Sequence, residues 1–330
     1  MGTLLVAAGG GHLEELWQLH SRLPLDGEVT WITSDTPQAR SLLAGEQVLF
    51  APSARPRDAR ATLALSCFAR SVLSSGDWQQ VISTGPLIAV PFLMLARHYG
   101  AEPHYIESCA RVTGPSLSGR ILENLSDACC YAPYPFWERN EWLYRGSVLD
   151  GLEPAPSISR RPQRVVVTVG ISPYGFRTLL TRLIAALPPE CEVLWQTGST
   201  DISELGIEAR AYLPERELLA QMADSDMVIS HAGVGSALTA MRAGHAPLLV
   251  PRSAARGEHV DNHQQQIAAE LEQRGLAHCC ELEGEGISLE EALYAAAGRR
   301  VQAMATPPSF QLQPGRRRQR RLRVPIPSTR

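Results

Sequence analysis

The chain alternates short apolar runs with segments of helical periodicity along most of its length. Apolar runs typical of buried strands occur at Thr3–Ala8, Val29–Thr33, Gln80–Thr84, Pro103–Ile106, Arg164–Val169 and Glu192–Gln196. Segments with one apolar face predict helices at Arg55–Ser74, Ile88–His98, Phe176–Ala186 and Glu217–Ala223. Strands that alternate with helices indicate parallel, doubly wound sheets, so the predicted fold class is α/β with two Rossmann-like domains.

The length of 330 residues is sufficient for two such domains, each with its own core. A stretch rich in Pro, Ser and Arg near the middle predicts the linker. We therefore predict an N-terminal domain at 1–150, a linker at 151–164 and a C-terminal domain at 165–305. Residues 306–330 contain seven arginines and no acid, which predicts a basic, disordered arm.

The most informative stretch runs from Met227 to Gln266. A short apolar strand leads into the small-residue turn around Gly233, Gly235 and Ser236, and a helix follows that ends at Gly244. Glycines at a strand-to-helix turn let an anion approach the backbone, and the helix N-terminus attracts it. The sequence thus predicts a phosphate site, although Gly and Ser at this place are also typical of helix caps.

A second glycine turn, Gly9-Gly10-Gly11, precedes His12 near the N-terminus. It resembles a dinucleotide-binding turn, and Asp35 lies about where a ribose-binding acid would fall. The fingerprint fails because its third glycine position is Glu14. A dehydrogenase is therefore disfavoured.

Several motifs around these turns resemble known glycosyltransferases. HAGVGS, the L-x-x-x-R-x-G-x-x-P-L-x-V-P spacing and DNHQ resemble the donor-binding region of GT-B glycosyltransferases of the MurG type. They are most similar to the catalytic subunit of the two-subunit UDP-GlcNAc transferase of asparagine-linked glycosylation. GGGH, STGP-x-x-x-x-P, YIES-x-AR and SLSGR resemble its membrane-recruiting partner subunit and bacterial counterparts in exopolysaccharide synthesis. The resemblance implies a GT-B enzyme that joins both halves and acts in the cleft between them.

For the donor, the resemblance implies a set of binding residues in the C-terminal half. Leu213 would recognise the base through its main chain, and Thr239 stands where the relatives carry a ribose-binding glutamate. The implied donor-binding residues are Gly170, Leu213, His231, Gly233, Gly235, Ser236, Thr239, Asp261, Asn262, His263 and Gln264.

For catalysis, His12 is a candidate general base or acceptor-phosphate ligand, and helix capping is the alternative. Glu107 ends a strand at the carboxyl edge of the sheet, where functional acids collect; a salt bridge to Arg111 is the alternative. The predicted acceptor-binding residues are Gly10, Gly11, Ser83, Thr84, Gly85 and Arg111.

Composition narrows the chemistry. The basic residues are all arginine, which excludes a Schiff base and a Walker-type phosphate loop because both need lysine. The cysteines form no C-x-x-C pair, which disfavours zinc. Asp224-Ser225-Asp226 spells the D-x-D of metal-dependent transferases but precedes the strand that delivers His231, so we interpret it as a surface loop. A UDP-sugar co-substrate is expected, without cofactor or obligatory metal.

Together these patterns predict an inverting glycosyltransferase that extends a polyprenyl-diphosphate-linked saccharide. No apolar run reaches the roughly 18 residues of a membrane span. We expect a cytoplasmic protein in peripheral contact with the anionic inner face of the membrane, and no nucleic-acid partner. The alternatives are a transferase of a soluble natural-product acceptor and a non-catalytic sugar-nucleotide-binding protein.

Overall fold

The computed structural model describes residues 1–52, 59–139, 141–158, 161–171, 173–259, 263–283 and 286–313. The N-terminal half contains β1 (Gly2–Ala7), α1 (Gly11–His20), β2 (Glu28–Ser34), α2 (Pro37–Leu42), β3 (Val48–Ala51), α3 (Ala59–Ser75), β4 (Trp78–Gly85), α4 (Ala89–Ala96), β5 (Glu102–Ile106), α5 (Leu117–Leu125), β6 (Cys129–Tyr131), β7 (Trp142–Leu143) and β8 (Leu152–Ala155). The C-terminal half contains β9 (Arg164–Thr168), α6 (Arg177–Ala186), β10 (Glu192–Gln196), β11 (Ala209–Arg210), α7 (Glu215–Ala223), β12 (Met227–His231), α8 (Val234–Arg242), β13 (Leu248–Val250), α9 (His263–Gln273), β14 (His278–Cys279), α10 (Leu289–Ala296) and β15 (Arg300–Ala303).

Each half is built on a parallel sheet. The first sheet has the order β3-β2-β1-β4-β5-β6-β7, and the second has the order β11-β10-β9-β12-β13-β14. All pairs within these two sheets are parallel. The chain builds one side of each sheet and then returns to the other side, so strand order reverses between β1 and β4 and between β9 and β12. The predicted α/β class with two doubly wound sheets is confirmed.

Alternating side chains of each central strand are buried under helices on both faces of its sheet. Leu4 and Val6 of β1 pack into one apolar cluster, whereas Leu5 packs into the cluster on the opposite face. In β9, Val165 and Val166 are divided between two clusters in the same way. A continuous apolar run is the pattern expected of a strand that is buried on both faces.

The two halves share an apolar junction. Cys109, Tyr134 and Val148 of the first half lie in one buried cluster with Ala232 and Val234 of the second. Helix α1 also packs directly on α8. This junction forms one side of the cleft between the sheets and holds the two halves close together.

Two segments differ from the expectation. The predicted linker begins with β8, which pairs antiparallel with β15 so that Ala155 lies opposite Arg300. Within the predicted arm, Phe310 is buried against the first half and its N–H donates to the carbonyl of Arg22 over 3.0 Å. Phe310 therefore anchors this segment to the first half, while 306–309 remain exposed and 314–330 lie outside the described residues.

Candidate active site

A cleft of about 490 Å³ opens at the carboxyl ends of both sheets, where their strand orders reverse. Ligands of doubly wound proteins bind at such reversal points, and this volume is ordinary for a small-molecule site. The first half contributes Ala8, Gly9, Gly10, Gly11, Ser34, Thr36 and Gln38. The second half contributes Thr168, Gly170, Ile171, Gln196, Tyr212, Leu213, Glu215, Leu218, His231, Gly233, Val234, Gly235, Ser236 and Thr239. Most residues predicted for the donor therefore lie together.

The two glycine turns touch each other across the cleft. A Cβ atom on Gly235 would lie 3.1 Å from the Cα of Gly11, and one on Gly11 would lie 3.2 Å from the backbone nitrogen of Gly235. Neither Gly11 nor Gly235 has room for a side chain unless the facing backbone moves. These glycines therefore serve the close approach of the N-termini of α1 and α8.

His231 occupies the centre of the C-terminal wall. A Cβ on Gly170 would lie 2.5 Å from the Cε1 of His231, and one on Gly233 would overlap the same ring. Gly170 and Gly233 thus make space for the imidazole, a role the sequence did not indicate. Burial, followed by the charge of Arg252, lowers the pKa of His231 to about 3. The ring is neutral at physiological pH, and its buried Nδ1 has no hydrogen-bond partner among the described residues.

The N-terminus of α8 supplies donors for an anion. The N–H of Ala237 makes the first intrahelical bond, to the carbonyl of Gly233 over 3.0 Å. The N–H groups of Val234, Gly235 and Ser236 precede it, and all three residues line the cleft. Such terminal N–H groups have no partner within the helix and carry its positive dipole end, so this corner suits a phosphate.

The far end of the cleft combines apolar and acidic groups. Leu213 is buried there, and the buried hydroxyl of its neighbour Tyr212 has no hydrogen-bond partner within the described ranges. Thr239 donates its hydroxyl to the carbonyl of Gly235 over 2.9 Å, so that group is engaged within α8. Glu215, which was not among the predicted site residues, places a carboxyl group in this part of the cleft.

Glu215 joins a charged cluster across the two halves. Arg242 pairs with Glu215 and lies 3.5 Å from Glu14, whose side chain is fully buried on α1. Burial and the neighbouring Glu215 raise the pKa of Glu14, and burial raises the pKa of Glu215. One guanidinium between two acids links α1 to α7 and α8 at the edge of the cleft.

His12 lies at the start of α1, one residue beyond the lining residue Gly11. Its Nδ1–H donates to the carbonyl of Thr84 over 2.7 Å, which leaves Nε2 as the nitrogen that can accept a proton. Burial lowers the pKa of His12. Glu15, one helical turn away, places Oε2 4.0 Å from Nδ1 of His12.

Glu15 is a second group that the sequence analysis missed. Its Oε1 accepts from the N–H of Cys109 over 2.7 Å, while its buried Oε2 has no hydrogen-bond partner in the part of the chain that the structure describes. Burial raises the pKa of Glu15 to about 7. A carboxyl spaced three residues after His12 on a helix was the available signal, because residues i and i+3 share a face.

Glu107 organises a loop and does not line the cleft. Its carboxylate accepts from the hydroxyl of Tyr105 over 3.0 Å and from the N–H of Ser116 over 2.8 Å. Arg111 does not explain this residue either, because its guanidinium donates to Gly114 and to His263 of the other half. Among the described residues, the contacts of Glu107 are those of a structural acid.

Of the residues predicted to bind the acceptor, Gly10 and Gly11 line the cleft, whereas Ser83, Thr84 and Gly85 do not. Ser83 donates to the carbonyl of Val6 over 2.5 Å, and Thr84 donates to the carbonyl of His12 over 2.7 Å. Gly85 has a φ of +92° beside the Tyr105 hydroxyl.

On α9, Gln264 accepts from the N–H of Arg252 over 3.0 Å. Its neighbour His263 contacts Arg111, as described above. Asp261 and Asn262, which were predicted to bind the donor, lie outside the described residues.

The D-x-D sequence lies at the amino ends of the strands of the second sheet, whereas the cleft lies at their carboxyl ends. Asp226 accepts from the N–H groups of Gln163 and Arg164, over 2.8 and 3.0 Å, and Asp224 pairs with the Arg164 side chain. Both carboxylates are thus engaged just before β12 begins, whereas His231 lies where β12 ends. Elsewhere in the described part of the chain, no group of three or more His, Cys, Asp or Glu is arranged to hold a metal.

Known proteins resemble this chain in sequence and in fold. Residues 165–308 match the glycosyltransferase family 28 C-terminal domain. The crystal structure of MurG from Acinetobacter baumannii superposes with a TM-score of 0.55 over 89% of both chains, at 19% identity. The C-terminal half thus contains a glycosyltransferase family 28 C-terminal domain, and the whole chain has the GT-B fold of MurG.

Two relatives match the sequence of this chain over different lengths. A UDP-N-acetylglucosamine--N-acetylmuramyl-(pentapeptide) pyrophosphoryl-undecaprenol N-acetylglucosamine transferase from Parasynechococcus marenigrum is 27% identical over 329 residues, covering 91% of this chain and 89% of the relative. The UDP-N-acetylglucosamine transferase subunit ALG13 of Yarrowia lipolytica is 46% identical over 55 residues, covering 17% of this chain and 26% of the relative.

Proposed function

We propose that this glycosyltransferase transfers a sugar, with inversion, from a UDP-sugar to a polyprenyl-diphosphate-linked saccharide in polysaccharide assembly. The proposal rests on one corner of the cleft, where the two glycine turns meet the N-terminus of α8 and neutral His231. We call this corner the donor corner. The Parasynechococcus relative, which acts on an undecaprenol-linked acceptor by its name, supports the acceptor class.

In the proposed complex, the donor lies along the C-terminal wall. Its diphosphate accepts hydrogen bonds from the N–H groups of Val234–Ser236, and His231 adds a neutral side-chain donor. The base extends toward Leu213, and the sugar points toward the start of α9, which includes His263. Backbone donors at a helix terminus stabilise a leaving diphosphate without a metal, so none is required in this proposal.

His12 is the proposed general base. The acceptor hydroxyl attacks the anomeric carbon on the face opposite the diphosphate, and its proton passes to Nε2 of His12. The bond between the anomeric carbon and the phosphate oxygen breaks, and its electron pair stays on the diphosphate. Glu15, 4.0 Å from Nδ1, stabilises the imidazolium as it forms.

The acceptor lipid requires contact with a membrane. In the described residues, no helix is long and apolar enough to cross one. Helix α4 packs against both α3 and α5, and these three helices expose Leu63, Met94, Leu117 and Leu125. Exposed arginines accompany them at 60, 70 and 120. We propose that this membrane face, together with the basic arm, holds the protein on an anionic bilayer.

The two halves of the chain have different roles in the proposed reaction. The half that contains the membrane face also provides His12, whereas the second half provides the donor corner. We propose that the chain combines roles that the asparagine-linked glycosylation enzyme divides between two subunits.

A donor screen tests the proposal. Purified protein is incubated with a panel of UDP-sugars and a bacterial lipid extract, and UDP release is measured with and without EDTA. We expect lipid-dependent release from one UDP-sugar that persists in EDTA. UDP binding without release from any donor would favour the non-catalytic alternative, and release that needs a soluble acceptor would favour the natural-product alternative.

A further inference from the structure

Arg252 is a buried cation for which the described residues provide no ion pair. Its side chain is 1% exposed, and burial lowers its pKa to about 10, so it remains charged at neutral pH. Glu258 is the acid whose charge raises the pKa of Arg252. Its Oε2 already accepts from the N–H of Ser253 over 3.0 Å and lies 3.3 Å from Nε of Arg256. Burying a charge without a direct counter-ion is costly, so this arrangement needs an explanation.

The guanidinium of Arg252 lies behind the wall residue Gly170. Its Nη2 donates to the carbonyls of Val169 and Tyr174, over 2.7 and 3.0 Å. These residues lie before and after Gly170, which lines the cleft. After burial, the charge of Arg252 is the next largest cause of the lowered pKa of His231, which also lines the cleft. Arg252 therefore adjoins two wall residues without lining the cleft.

The packing around Arg252 fixes the place of this charge. The guanidinium carbon lies 5.5 Å from the ring centre of Phe176, and the backbone N–H bonds Gln264 on α9. Contacts with the end of β9, the start of α6 and α9 leave the side chain little freedom. A fixed charge in a region of low dielectric acts on its surroundings more strongly than a mobile surface charge.

We propose that Arg252 is the electrostatic counter-charge for the donor diphosphate, acting through the wall formed by Gly170 and His231. This inference rests on the proposed function and deepens it. His231, being neutral, offers a hydrogen bond, while the positive charge comes from behind it. When the anomeric bond breaks, negative charge accumulates on the departing diphosphate, and Arg252 stabilises that state without moving.

The test separates the charge of Arg252 from its hydrogen bonds. Affinities for UDP and for uridine are measured by ligand-observed NMR and calorimetry in wild type, R252K and R252Q. Lysine retains the charge, whereas glutamine retains a donor without it. We expect R252Q to lower the ratio of UDP to uridine affinity about tenfold, equivalent to about 1.4 kcal/mol. R252K should keep the ratio within about threefold of wild type.

R164Q provides a matched control in the same half, because Arg164 pairs with Glu192 and Asp224 at the opposite end of the sheet and does not line the cleft. Its ratio should equal that of wild type. A ratio unchanged in R252Q, or equal losses in R252K and R252Q, would overturn the counter-charge. A wild-type protein that binds neither UDP nor uridine would instead count against the proposed function. Because the affinities for UDP and for uridine are compared within each variant, a partial loss of folded protein affects both equally and leaves their ratio unchanged.

Discussion

At the scale of single residues, the proposed reaction depends on where protons reside. The hydrogen bond from Nδ1 of His12 to Thr84 fixes the tautomer, and the lowered pKa keeps the ring neutral and ready to accept a proton. Glu15 has a pKa of about 7 because it is buried, so it changes charge within the physiological range. The ionised form favours the imidazolium that develops during transfer.

This arrangement predicts the pH dependence of turnover. The rate constant kcat should rise as pH increases through about 7, because Glu15 loses its proton there and the carboxylate stabilises protonated His12. E15Q should remove this rise and lower kcat about tenfold or more, while H12A should lower kcat by about 10²–10⁴. Steady-state kinetics between pH 5.5 and 8.5 measure both effects.

Affinity for UDP serves as the control, since neither residue lines the donor corner. Variants with unchanged UDP affinity and wild-type pH profiles would remove His12 and Glu15 from the chemistry. A loss of UDP affinity that matched the loss of kcat would indicate a structural role.

The sequence predicted which residues line the cleft better than it predicted the hydrogen bonds that the side chains make. Gly170, Leu213 and His231 line the cleft as the motif order implied. By contrast, the hydroxyls of Ser83 and Thr239 are bonded to nearby carbonyls. A hydroxyl has the same appearance in a sequence whether it binds a ligand or the main chain, because its partner is set by tertiary approach.

At the scale of elements, α1 and α8 begin in contact, and this contact closes the donor corner. Gly235→Ala should push the two N-termini apart, because the added Cβ would lie 3.1 Å from the Cα of Gly11. We expect UDP affinity to fall about tenfold and the thermal midpoint to drop by about 3 °C or more. Gly286→Ala is the matched control, since a Cβ added there would meet no atom within 4 Å among the described residues. Identical affinity and midpoint for the two variants would contradict the close-contact role.

Most elements were predictable because the apolar runs mark strands that are buried on both faces. The run at Glu192–Gln196 is the strand β10, and Phe176–Ala186 differs from α6 by one residue. β8 was missed because its sequence, with a proline and an exposed face, is typical of a linker. Its partner β15 lies far along the chain, and such long-range pairing leaves no local signal.

At the scale of the whole molecule, the membrane face and the donor corner lie on different halves, so they should be separable. Replacing both Leu117 and Leu125 with Glu should weaken binding to anionic vesicles, because these side chains are 75% and 67% exposed and would enter the interface. UDP affinity should not change. Tyr294→Glu, on the exposed face of α10, is the matched control and should bind vesicles normally. Equal co-sedimentation of all three proteins would rule out the membrane face.

The basic arm makes a distinct contribution that depends on salt. Removing residues 314–330 retains Phe310, which packs against the first half. Each arginine near an anionic surface contributes about 1 kcal/mol at low salt. The truncated protein should therefore bind vesicles more weakly at low salt and similarly at high salt. The same difference at both salt concentrations would contradict an electrostatic role.

The central claim is that the cleft joins a UDP-sugar to a lipid-linked acceptor with His12 as base. Its most direct test is transfer of the radiolabelled sugar of the active donor into the organic phase of a polyprenyl-diphosphate-saccharide assay, with wild type and H12A compared. We predict label in the lipid product with inverted anomeric configuration for wild type, and a loss of about 10²-fold or more for H12A at equal UDP affinity. Label that stays in the aqueous phase, or equal transfer by both proteins, would contradict the account.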